Sequence, residues 1–224
     1  MPTYQDLGFG QGAALTGDRA RSVFGHVMGL VAVSLGFAAL GAYILRNSTG
    51  GTGFLIFIPI IACVFGLQTA AARGHEQLAT ALLFGLALLL GMAISPIVVF
   101  YAKSNPGVVY EAAGSTGLFV GALGTFGYST RRDLSKYMKP LLIAFGVVFV
   151  FGLIALFVAI PGSNIIYCVL MLLVFGGFTA FDFQRLARGG QYQSAVPIAA
   201  AIFLDIFNVF LLLLSLFGGG GSRR

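Results

Sequence analysis

The run VPIAAAIFLDIFNVFLLLLSLF, residues 196–217, is long and apolar enough to cross a bilayer, yet it holds an aspartate, Asp205, nine residues from its start. A hydrocarbon core of about 30 Å takes about 20 apolar residues of helix. Such a run with a single buried-type acid defines both the fold class and the first candidate site. Immediately before it, residues 164–186 (NIIYCVLMLLVFGGFTAFDFQRL) repeat the theme, with Asp182 near the far end. Working back along the chain, segments 23–45, 54–72, 78–101, 112–128 and 140–160 are also apolar. The reading is therefore an all-α polytopic membrane protein of seven transmembrane helices. The fourth span is the shortest and is rich in Gly, Ser and Thr. Pro140 and Pro197 fall in the first turns of their helices, where a missing N–H costs nothing. Pro59 and Pro96 lie inside spans and are expected to kink them.

Composition supports this. Hydrophobic residues make up 58% of the 224, charged residues 9%, and mean hydropathy is +0.96. Ordinary soluble domains carry about 25% charged residues, so there is too little polar surface here for a water-soluble globule. The net charge of +6 does not point to nucleic acid, because the basic residues are scattered in the gaps between apolar runs and form no basic face. Cys63 and Cys168 both lie in apolar stretches and support neither a disulfide framework nor a zinc site. Residues 1–22 hold Asp6, Asp18, Arg19 and Arg21 and no long apolar run, so no cleavable signal peptide is expected.

The basic residues set an orientation. One side of the membrane receives Arg19, Arg21, Arg73, Arg131, Arg132, Lys136, Lys139, Arg185 and Arg188. The other receives Arg46, Lys103, Arg223 and Arg224. The expected organisation is a cytoplasmic N-terminal segment, 1–22, then a seven-helix transmembrane domain, 23–217, and a flexible Gly-rich basic tail, 218–224, outside. No second domain, linker or internal repeat is visible, although seven helices could hide a three-plus-three symmetry under one odd helix.

Apart from Arg185 at the very end of the sixth, three residues able to carry charge fall within spans as candidates. His26 lies close to the boundary, within reach of water or headgroups. Asp182 sits roughly 6 Å from the end of its helix and Asp205 roughly 13 Å into the next. These consecutive helices should pack antiparallel, and the offset of roughly 7 Å is within side-chain reach. Two carboxyls in a partly dry site share a proton and titrate as a pair. Such a pair can act as a pH sensor, a cation site or a catalytic dyad. Asp182 also has a basic neighbour one turn on, Arg185. On the fourth span, Gly114, Gly117, Gly121 and Gly124 form a stripe that close helix packing accounts for. Tyr4, Tyr43, Tyr101, Tyr110, Tyr137 and Tyr192 lie outside spans or near their ends, as in an interfacial belt.

Two enzyme or cofactor classes fail on these residues. Intramembrane aspartyl proteases place Gly-x-Gly-Asp on the second helix; here Ile202–Phe203–Leu204 precede Asp205. A retinal protein needs a lysine within a span, and Lys103, Lys136 and Lys139 are in gaps or at edges.

The segments Phe181–Asp182–Phe183–Gln184–Arg185–Leu186 and Ala201–Ile–Phe–Leu–Asp205–Ile–Phe–Asn208–Val–Phe–Leu resemble those of the Bax inhibitor-1 (transmembrane Bax inhibitor motif) family. They look like its "D-x-Q" ending of helix six and its "L-D-x-x-N-x-F" in helix seven. Ile94–Ser95–Pro96–Ile97 and the Leu–Phe–Gly–Gly ending add to the likeness, which covers nearly the whole chain. The resemblance implies a seven-helix fold whose last helix is surrounded by the other six. It also implies a pH-sensitive calcium leak in a bacterial inner (plasma) membrane, with Asp182 and Asp205 as the latch. Arg185 and Asn208 would support it, and both aspartates would contact calcium. No tightly bound cofactor and no enzymatic activity are expected; calcium would be the transported or bound ion. The chain departs from the family at Leu90–Gly91, where many members have Glu-Gly, and has no arginine between Asn47 and Ala72. Arg185 is the available substitute partner for Asp182. The alternative is a non-conducting regulatory protein that binds a membrane protease or another membrane protein partner.

Overall fold

The computed structural model describes residues 11–47, 53–158, 162–188 and 194–219. Among them are seven α-helices: α1 (Gln11–Ile44), α2 (Gly53–Ala72), α3 (Glu76–Ser104), α4 (Pro106–Ser129), α5 (Met138–Phe157), α6 (Ser163–Ala187) and α7 (Val196–Gly219). A 3-10 turn, Leu134–Tyr137, leads into α5. Each helix covers one of the seven expected runs. α1 starts at Gln11 rather than near 23, so much of the N-terminal segment is helical. α4 starts at Pro106, six residues before the expected 112, because Pro106 occupies the first helical position, where its missing N–H is no loss. Tail residues 220–224 lie outside the described residues.

Five helical stretches are long and apolar enough to cross a membrane: Arg21–Ile44, Glu76–Ser104, Leu134–Ala155, Ser163–Ala187 and Val196–Gly219. The apolar part of α2, Ile56–Ala72, is shorter. The Gly, Ser and Thr of α4 keep it out of that group. The protein is an integral membrane protein, and its outer surface says the same. Leu118, Phe65, Ile143, Leu173 and Phe157 are all exposed, a display that water would not tolerate but lipid does.

The helices form two trios with α7 set against both. In the first trio α1 and α2 each pack on α3; in the second α4 and α5 each pack on α6. Each trio is closed by a glycine placed where a side chain would strike backbone. A Cβ on Gly91 of α3 would run into the Ala38 carbonyl of α1, and one on Gly127 of α4 into the Ala180 carbonyl of α6. Such contacts let helices approach without a hydrophobic driving force between them. Ser95 Oγ adds a 2.7 Å bond to the Ala42 carbonyl of α1. The repeat of contacts, first on third and second on third, is what a three-plus-three arrangement produces.

α7 packs against α1, α2, α3, α4 and α6. Its span is 50% buried inside the molecule, against 6% for that of α5, which rests on α6 and the 3-10 turn. Phe203, Ile202 and Ile198 of α7 anchor one apolar core with α1, α2 and α3. Val209, Leu213 and Leu214 anchor a second with Val108 and Ala112 of α4. The span of α7 is thus the most buried of the five candidate spans.

The glycine stripe of α4 requires a correction. A Cβ on Gly114, Gly117 or Gly121 would meet nothing within 4 Å. These glycines do not abut a helix; Gly117 and Gly121 line a cavity between α1 and α4. Gly124, the last of the stripe, does face a helix, since a Cβ there would stand 3.0 Å from the Phe183 ring of α6, and the backbone contact of α4 follows one turn on, at Gly127. Residue spacing marks a small-residue face, but not what lies opposite it.

Candidate acid site between α6 and α7

α6 and α7 pack along their length, which brings Asp182, five residues from the end of α6, toward Asp205, nine residues into α7. Both are buried, at 7% and 5% exposure. The carboxyls lie within electrostatic range of each other. Thr179, three residues before Asp182 and so on the same helical face, stands beside Asp205 and is fully buried. The sequence reading did not single it out. Its signal was present, as a hydroxyl one turn from an intramembrane acid.

The two carboxyls have different surroundings. Arg185 Nη1 donates to Asp182 Oδ1 at 3.0 Å, so the substitute partner suggested by the sequence is the one found. The guanidinium also lies 5.7 Å from the Phe181 ring centroid. Asp205 Oδ2 and Thr179 Oγ1, in contrast, are buried without a hydrogen-bond partner. An unpaired buried polar atom carries its full desolvation cost, about 1–3 kcal/mol and more if charged, so such atoms in native proteins call for a functional account. Asn208 Nδ2 donates to the Leu204 carbonyl of its own helix at 2.8 Å.

Gln184 does something the sequence did not announce. Its Nε2 donates to the Arg132 carbonyl at 2.6 Å, and its Oε1 accepts from the Leu134 amide at 2.9 Å. One buried amide thereby fastens the α4–α5 connection to the end of α6. Beside it, Arg188 pairs with Asp133 at 3.3 Å. Asp133 also accepts from the Ser135 hydroxyl and amide, and these bonds, with Arg188, hold its carboxyl below its ordinary range. His26 is exposed.

The described residues hold no group of three or more His, Cys, Asp or Glu side chains able to bind a metal ion. Calcium takes six to eight oxygens, and two carboxyls with one hydroxyl fall well short. The arrangement instead offers a charge that one proton changes. Asp182 has the Arg185 guanidinium beside it, whereas Asp205 has the other carboxyl and the Thr179 hydroxyl as its polar neighbours.

Comparison with known proteins gives consistent results. The chain is 30% identical to a protein of Helicobacter pylori strain 26695 over 166 residues, covering 74% of this chain and 71% of the relative. It is 30% identical to YrjE of Lactococcus lactis over 231 residues, covering 92% and 94%. It is 29% identical to a protein of Streptococcus pyogenes serotype M3 described as a membrane protein, covering 87% and 91%. Residues 20–222 match the family model described as inhibitor of apoptosis-promoting Bax1. With that match spanning nearly all of the helical domain, both acid-bearing helices included, the chain belongs to the Bax inhibitor-1 family.

Proposed function

We propose that this protein is a pH-sensitive cation leak, with calcium as the ion, gated by a latch between α6 and α7. The observation that carries the reading is the buried Asp205 carboxyl with Oδ2 unpartnered, facing Asp182 and Thr179. With a proton on Asp205, its O–H can donate to Asp182 or Thr179 and tie the helices together. Without it, a buried carboxylate faces a second one and competes for Arg185. Repulsion then favours separation of the helices at this end, a two-state element switched by one charge. A passing ion that keeps part of its water needs no six-oxygen cage, so the sparse ligand set suits passage better than storage. The protein acts without catalysis.

The same reading places all seven helices across a bacterial plasma membrane, with the N-terminus cytoplasmic and the C-terminus outside. The basic asymmetry supports it. So do the bonds from Gln184 and Arg188 to the α4–α5 connection, which put two of the basic segments at one end of the molecule. The test is calcium entry into liposomes holding the purified protein. Entry should exceed that into protein-free liposomes and increase as pH rises. Equal entry at every pH would overturn the gate.

A second reading, a regulatory protein that docks a membrane partner, draws on α5, which rests chiefly on α6 and leaves most of its surface uncovered. Co-purification of a stoichiometric partner, with no flux, would favour it.

A further inference from the structure

A cavity of about 1000 Å³ lies between α1 and α4, floored by Ile206, Phe207 and Phe210 of α7. It lies where α1, packed on α3, faces α4, packed on α6, while the trios meet through α3 and α4 and through α7. Gly117 and Gly121 form part of its wall, with open space where their side chains would be. Its hydroxyls are turned inward on their own helix: Thr116 Oγ1 and Thr125 Oγ1 donate to the Ala112 and Gly121 carbonyls, both at 2.7 Å. The wall is therefore apolar in effect, which makes it a poor path for an ion.

One end differs. The rings of Phe24 and Tyr128 meet edge to face at 5.4 Å and join α1 to α4. Arg21, the one charged residue of the lining, sits there. Arg131 and Arg132 follow Tyr128 within four residues and are exposed. Along α4 the lining runs from Ala113 to Tyr128, roughly 22 Å of helix. That is enough for an acyl chain of one leaflet, roughly 15 Å of the hydrocarbon core.

The geometry points to this cavity as a binding site for an anionic phospholipid of the bilayer, one acyl chain lying between α1 and α4 and the phosphate at Arg21. The apolar groove takes the chain, and the basic mouth selects the headgroup through charge-assisted hydrogen bonds. The floor residues Ile206 and Phe207 follow Asp205 directly, so the occupant presses on the same stretch of α7 that carries the acid site. The proposal does not depend on ion conduction.

The test uses the purified full chain and two photoreactive lipids, phosphatidylglycerol and phosphatidylcholine with the same diazirine-bearing acyl chain. Phosphatidylglycerol should label α4 and α7 residues of the cavity, with about a tenfold preference over phosphatidylcholine, the equivalent of one charge-assisted contact. Arg21→Gln should remove the preference and leave the phosphatidylcholine labelling as it was. Gly121→Leu, which fills the groove, should cut labelling by both lipids about tenfold; Gly117→Val serves the same end should the first variant fail to fold. Labelling unchanged in the filled variants would overturn the site. Equal labelling by the two lipids would overturn the headgroup assignment. A dimer excluding lipid from this face, seen by native mass spectrometry, would overturn the choice of occupant.

Discussion

At Gly127 the α4 backbone lies against the Ala180 carbonyl, and one added methyl has nowhere to go. Gly127→Ala should force α4 and α6 apart and cost about 1–3 kcal/mol. Gly121→Leu, by contrast, should fold with wild-type stability, since its Cβ meets open space. Thermal melts of the two purified variants check the pair, and a Gly121→Leu melt far below wild type would restore the helix-contact reading of the stripe. At the same scale, Asp133 is a carboxylate held below its ordinary value of 3.8, chiefly by Ser135. A depressed carboxylate stabilises the folded state above its unfolded value, and that contribution fades as pH falls through the folded value. Protection of the Ser135 amide from hydrogen exchange, corrected for intrinsic rate, should hold from neutral pH and decline below about pH 4. Single residues of this kind were legible only in part. Asp182, Asp205 and Arg185 announce themselves because a charge in an apolar run is rare. Thr179 and Gln184 do not, because their roles depend on which neighbour the fold supplies.

Among elements, the connection between α4 and α5 is held to the end of α6 by the side chain of Gln184. Gln184 satisfies a carbonyl at Arg132 and an amide at Leu134 with one side chain. Gln184→Leu should leave both groups unpaired and cost about 1–3 kcal/mol, with faster exchange at the Leu134 amide as the readout. An unchanged exchange rate would mean that the clamp is not what orders the connection. The helices themselves were legible from apolar runs alone, because a bilayer demands length and apolarity together. Their starts were less so: α1 and α4 extend well outside the apolar part, into sequence whose helicity is local rather than imposed by lipid. The stripe on α4 shows the same limit. Spacing of three and four places residues on one face, but whether that face meets a helix or a cavity is decided by how two trios pack.

The whole molecule is two trios of helices that share contacts with α7, which carries an acid nine residues from its start. Orientation belongs to this scale. In a background with Cys63 and Cys168 replaced by alanine, Ser135→Cys should react with an impermeant maleimide only after cell lysis, and Ser222→Cys in intact cells. The reverse pattern would invert the topology. The central claim is that Asp182 and Asp205 act as one proton-controlled unit, and the direct measurement is a double-mutant cycle on calcium entry into liposomes from about pH 6 to 8. Wild-type entry should rise with pH, Asp182→Asn and Asp205→Asn should each flatten that rise, and the double variant should change it no further than the singles. A pH-dependent flux that persists unaltered in the double variant would contradict the account.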